Sequence, residues 1–172
     1  MTTVQTCKYT RADYMRLPEG FPAELIDGML VKEPSPTGWH QELGTRLVTR
    51  LRERIGAALP SPIDVFIDDY NVLQPDVAVL PAGTTVGPEM AQIPMPVFVV
   101  EVLSPSTAGR DRTMKTDIYL RAGVKEVWLV DPETETVEIA TASGREKVGP
   151  NAVARAKTLP FDVDLGELFR VD

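Results

Sequence analysis

A chain of 172 residues with 43% apolar and 25% charged side chains has the size and balance of one globular domain, spanning 1–172, whose core needs no disulfide or structural metal. Its single cysteine, Cys7, excludes an internal disulfide framework, and no apolar run approaches the roughly 20 residues that cross a bilayer. A formal net charge of −7 runs against the basic balance of most nucleic-acid binders, so contact with nucleic acid has to rest on a local basic patch, or on metal ions held between carboxylates and phosphate.

The opening "MTTVQTCKYTRADY" has neither the basic start nor the apolar centre of a secretory signal, which predicts a cytoplasmic protein. "YTRADYMRLPEG" carries a capping pair, Thr10 and Asp13, and stops over 18–20, predicting one short helix. "AELIDGMLVKE" reads as two short strands turning at Asp27 and Gly28. After "PSPTG" comes the clearest helix: Trp39, Leu43, Leu47, Val48, Leu51 and Ile55 recur at helical spacing, and Arg46, Arg50, Arg52 and Arg54 lie off that stripe.

"PIDVFID" alternates like a strand, and "QPDVAVL" reads as another that begins at Pro75, since proline cannot donate to a ladder. Residues 81–96 are rich in proline, lack a strong period and read as a long loop. "VFVVEVL" is a strand buried on both faces, with Glu101 among β-branched residues. A helix is expected from about 110 to 122, with Met114, Ile118 and Ala122 on one stripe and Gly123 as terminator, and "KEVWLVD" supplies the next strand. That order makes a βαβ unit with parallel strands. "ETVEIAT" and the tail "LPFDVDLGELF" are expected to add an edge strand and a terminal turn.

An unpaired carboxylate at position 101 would be expensive, so it is either protonated or met by a positive group. If the strands that begin near Asp76 and end near Leu103 are antiparallel neighbours, the two acids come together at one end of the sheet. Two such carboxylates repel unless a proton or cation lies between them, and oxygen donors suit Mg²⁺ or Mn²⁺ better than zinc. Lys115 on the following helix falls roughly 8 Å along the axis from Arg110, within reach of that sheet end, and shares a helix face with Asp111 and Tyr119. Those two neighbours can orient the lysine or contact substrate.

Together "AELIDGML", "QPDVAVL", "VEVLSPST" and "RDRTMKTDIYLRAGVKEVWLVDP" resemble, in order and spacing, the Uma-two family of restriction-endonuclease-like proteins, a branch of the PD-(D/E)XK nuclease superfamily. The resemblance runs from about position 9 to 169. It implies an α/β fold, with a restriction-endonuclease-like mixed β-sheet core flanked by helices and an N-terminal β-hairpin. It further implies a Mg²⁺- or Mn²⁺-dependent endonuclease acting on nucleic acid, DNA by preference, as a homodimer.

Carried over by position, Asp76 and Glu101 are the metal-binding acids. The Val102 backbone carbonyl is a further ligand, and Glu24 is a looser candidate. Where the superfamily pattern has lysine two residues after the acid, this chain has Leu103, and the resemblance assigns the catalytic lysine role to Lys115. His40 matches a family histidine at the start of the long helix. Tyr119, Arg46 and Arg50 are the candidate substrate contacts. Against this stand a Glu101–Lys115 salt bridge that merely closes a strand end, a non-catalytic binding or assembly module on the same fold, and a hydrolase of some other phosphate ester.

Overall fold

The structure, a computed structural model, describes residues 8–171, so Cys7 and the stretch before it lie outside the described residues. The chain begins with α1 (Arg11–Tyr14), where the Thr10 side chain and the Asp13 carboxylate cap each other's backbone N–H as the sequence predicts. Then follow β1 (Ala23–Ile26) and β2 (Met29–Lys32), joined at Asp27 and Gly28 with φ of 47° and 80°. Both residues sit in the left-handed region that a two-residue hairpin turn requires, which is why aspartate and glycine stand there.

Helix α2 (Gly38–Ile55) buries Leu43, Leu47, Val48 and Leu51 along one face. The three leucines are fully buried, worth about 1.5–3 kcal/mol each on transfer from water. Four short strands succeed it: β3 (Ala58–Pro60), β4 (Val65–Asp68), β5 (Asn71–Leu73) and β6 (Val77–Val79). Of these the sequence shows only β4 and β6. Three residues are too few to display alternation, and the β4–β5 turn carries no glycine; Asp68 Oδ1 organises it instead by accepting from the Tyr70 N–H and the Asn71 amide. Pro60 is tolerated because β3 is a sheet edge.

Strand β7 (Phe98–Val102) leads into one helical run: α3 (Ala108–Arg110), a five-residue π-helical stretch (Asp111–Lys115) and α4 (Thr116–Arg121). This run starts about two residues before the expected position and contains a π segment that apolar periodicity does not signal. β8 (Glu126–Asp131) returns parallel to β7, completing the predicted βαβ unit. β9 (Thr136–Thr141) is not the edge that "ETVEIAT" suggests. It is covered by β10 (Gly144–Val148), an almost wholly exposed, charged strand that protects the true edge. β11 (Val153–Arg155), β12 (Asp162–Asp164) and α5 (Leu165–Leu168) close the chain.

The main sheet has the order β10-β9-β8-β7-β6-β3 and is mixed, and a four-stranded sheet β2-β1-β5-β4 stands beside it. Alternation along β7 divides the core. Phe98, Val100 and Val102 join the cluster beneath α2, while Val99 and Leu103 join the cluster that holds Ile118, Tyr119, Ile26 and Leu73. The sheet is thus flanked by α2 on one face and by the 108–121 helical run with the small sheet on the other. Among the described residues no helix is long and apolar enough to cross a membrane.

Candidate active site

Period-two alternation puts Glu101 on the same face as Val99 and Leu103, beneath the helical run. Antiparallel pairing sets Val77 opposite Val100 and so carries Asp76 to the position opposite Glu101. The two acids therefore meet at one sheet end, as the sequence reading required. Val102 keeps its side chain in the core beneath α2, leaving its backbone as the part that faces the site.

Lys115 is the positive partner of Glu101. Its Nζ lies 2.8 Å from Glu101 Oε1, 2.9 Å from Glu24 Oε1 and 3.6 Å from Asp111 Oδ1. Its side chain is only 4% exposed. Asp111, Lys115 and Tyr119, spaced four apart, are buried together, and along the π stretch Thr116 Oγ1 donates to the Asp111 carbonyl at 2.6 Å. The Tyr119 hydroxyl donates to Glu101 Oε1 at 2.8 Å, and the Gln74 N–H donates to Glu24 Oε1 at 2.6 Å. Glu24 Oε2 is buried without a hydrogen-bond partner.

Asp76 anchors the other half of the site. Its Oδ2 accepts from the Val102 N–H at 2.7 Å and lies 3.3 Å from His40 Nε2. Burial opposes the charge of the His40 ring, but Asp76 and the Val102 backbone outweigh it and raise its pKa. Asp76, Glu101, Asp111, Lys115, His40 and Glu33 all line one cavity of about 530 Å³, floored by the end of β7 and rimmed by the loops around Pro34, Pro62 and Pro105.

Three acids contact one lysine, so the cluster carries excess negative charge. Burial pushes the Glu101 carboxyl well above its ordinary range; Lys115 opposes that, while Asp111, Asp76 and Glu24 reinforce it. Burial works against the charge of Lys115, but Glu101, Glu24 and Asp111 overcome it and keep the ammonium protonated. Glu33 is pushed up to about 7 by burial and by the neighbouring Glu24, although Arg110 Nη2 pairs with it at 2.5 Å. Such a pocket is short of positive charge.

A divalent cation fits that deficit. Carboxylate and carbonyl oxygens are hard donors that suit Mg²⁺ or Mn²⁺. Among the described residues no three His, Cys, Asp or Glu side chains form a ready-made cage. Mg²⁺ sites commonly use one or two carboxylates and leave the remaining positions to water and phosphate. The carboxylates of Asp76 and Glu101 and the Val102 carbonyl are donors of the kind that the ion implied by the resemblance takes.

Other expected contacts lie elsewhere or act differently. Glu24 is engaged with Lys115 and the Gln74 backbone, which makes it a positioning group for the lysine. Tyr119 is fully buried and braces Glu101 instead of facing the cavity. Arg46 is spent on Glu42 and on the carbonyls of Leu168 and Arg170, tying α2 to the C-terminal segment. Arg50 lines a different cleft with Arg54, Arg155 and Asp164. Helical periodicity placed both arginines off the core stripe but could not say which end of the molecule they serve. Glu33, Gln74 and Arg110 were missed; Gln74 and Arg110 stand at the starts of stretches that carry the family resemblance, but only the packing of the hairpin against the helical run shows what they meet.

A mixed sheet flanked by helices, with paired acids at the β6–β7 end and a lysine on the crossover helix, defines a restriction-endonuclease-like α/β fold. The Uma2 family, described as "Putative restriction endonuclease", matches residues 11–165, and the chain belongs to that family. Among solved structures it is similar to a chain from Anabaena variabilis described as "a putative nuclease belonging to DUF820". The two are 23% identical over 93% of this chain and 97% of that one, with a TM-score of 0.79. No curated protein matches this chain.

Proposed function

We propose that this protein is a Mg²⁺- or Mn²⁺-dependent nuclease that hydrolyses phosphodiester bonds in DNA. The reading rests on Asp76 and Glu101 standing opposite each other in one cavity, with Lys115 held against Glu101. The ion, when bound, supplies charge neutralisation on the phosphate and a more acidic bound water. Asp76, Glu101 and the Val102 carbonyl are the groups that hold it. Lys115 stays protonated at Nζ and offsets negative charge developing on the phosphate or on the attacking hydroxide. Tyr119 and Glu24 keep the carboxylate and the ammonium in register. Fixed donors of this kind need no reorganisation when charge develops.

Purified protein with Mn²⁺ is expected to nick supercoiled plasmid, and Lys115→Ala is expected to cut at least ~100-fold more slowly while still binding Mn²⁺. Equal cutting by the two would remove Lys115 from the mechanism. A second reading, hydrolysis of a smaller phosphate diester, is favoured by a cavity lined by one lysine and no arginine. Turnover of bis(p-nitrophenyl) phosphate with no cutting of plasmid would select it.

A further inference from the structure

Trp39 holds a place that the proposed chemistry leaves unexplained. It heads the apolar stripe of α2 and packs in part on the core cluster beneath that helix, yet it stays half-buried and lines the active-site cavity. The ring is also held in position. Arg46, two turns further along α2, sets its guanidinium carbon 5.3 Å from the ring centroid and is itself pinned by Glu42 and by the Leu168 and Arg170 carbonyls. Arg46 is absent from the cavity wall, so it backs the indole from outside and leaves another side of the ring to the cavity.

The rest of the wall says what kind of surface suits that ring. Pro34, Pro36, Pro62 and Pro105 line the same cavity, and among the described residues its only lysine or arginine is Lys115, already shared by three acids. A nucleic acid therefore gains little here from phosphates beyond the one at the reaction centre, and affinity has to come from its bases. In a duplex the base faces are covered by their neighbours. An unpaired base exposes its π face, and stacking it on an aromatic side chain is worth roughly 5- to 100-fold in binding.

We infer that Trp39 is a base-stacking residue and that the substrate of this site is a single-stranded nucleic acid, with the unpaired base beside the scissile phosphate lying on the indole. The inference rests on the nuclease reading above and adds to it the strandedness of the substrate. Negative supercoiling favours strand opening, so a supercoiled plasmid also offers such a base, whereas a relaxed linear duplex does not.

With Ca²⁺ in place of Mn²⁺, a short oligothymidylate is expected to quench the tryptophan fluorescence of the wild type. That signal belongs to Trp39, because Trp128, the only other tryptophan, is fully buried and does not line the cavity. Trp39→Leu is expected to bind the strand about tenfold more weakly, with Trp39→Phe close to the wild type. An abasic strand of the same length is expected to bind the wild type about tenfold more weakly as well. This last arm uses no variant, so it decides the matter even if Trp39→Leu fails to fold. With Mn²⁺, the wild type is expected to cut a single strand faster than the same strand in a relaxed duplex. Equal binding of the base-bearing and abasic strands overturns the inference. Cutting of the relaxed duplex as fast as the single strand overturns it too, and leaves the nuclease reading standing. Base-dependent binding through Trp39 with no Mn²⁺-dependent cutting supports the stacking site and overturns the nuclease reading.

Discussion

Two glutamates interrupt apolar strands here, and their fates differ. Glu126 in β8 is fully buried, yet the Trp128 indole, the N–H groups of Lys157 and Thr158 and the Thr158 hydroxyl all donate to it. Hydrogen-bond donors satisfy it, so it anchors the fold. Glu101 in β7 has Tyr119 and Lys115, and shares that lysine with two other acids. Removing the lysine leaves several buried carboxylates without a cation, so Lys115→Met is expected to cost about 3 kcal/mol or more in urea unfolding. Glu101→Gln is expected to cost roughly 1 kcal/mol, because Lys115 retains Glu24 and the amide still accepts from Tyr119. Equal losses for the two substitutions would contradict the view that one cation is shared among three acids. Both strands read alike in the sequence, buried with an acid inside. What separates them is the partner: Tyr119 lies 18 positions from Glu101, whereas Trp128, Lys157 and Thr158 lie 2, 31 and 32 positions from Glu126.

The helical run after β7 is the element on which the site depends. Asp111, Lys115 and Tyr119 are buried inward from it, and Arg112, next to Asp111, ties the outer side to the sheet by donating to Asp131 of β8 and Glu138 of β9, each at 2.7 Å. Burial opposes ionisation of Asp131, but Arg112 and the N–H groups of Glu133 and Thr134 outweigh it and hold the carboxyl below its usual range. The folded state therefore favours the deprotonated form. This contribution is present above the unfolded value of about 3.9 and is lost as pH falls through the lower folded value. Asp131→Asn is expected to flatten the acid limb of a stability profile measured by urea midpoint between about pH 2 and 5. An unchanged acid limb would remove Asp131 from that role. Element type was legible throughout this region, because a strand, a turn-rich "SPST" and an amphipathic stretch follow one another. The π turn was not, since one added residue in a helical turn leaves no mark in hydropathy.

Across the whole molecule, acid outweighs base, and Arg46, Arg50 and Arg54 of α2 are directed away from the cavity towards the C-terminal segment and a second cleft. A surface of that kind neutralises few phosphates. Binding of a short duplex, measured by fluorescence anisotropy with Ca²⁺ in place of the proposed Mg²⁺ or Mn²⁺, is expected to give a slope of log K against log salt no steeper than about −3, the value for roughly three phosphate contacts. A much steeper slope would reveal a basic face that the net charge of −7 does not announce. Mixed pairing brings the end of β7 between β6 and β8, so that the site draws on the hairpin, on α2 and on the crossover helix at once.

By itself the sequence determined the local elements with strong periods or strong turn chemistry: the capped first helix, the Asp27–Gly28 hairpin, the long amphipathic α2, the buried β7 and the parallel crossover. It also placed a charge where none is stable alone, and so announced that a partner exists. Tertiary structure alone decided that the partner is one lysine shared by three acids, that Tyr119 serves the carboxylate from within the core, that Arg46 and Arg50 serve other parts of the molecule, and that His40 meets Asp76. The reason is physical. Periodicity reports how each residue faces its own helix or strand, whereas a site is made where several elements converge, and convergence depends on register, helix phase and packing distance.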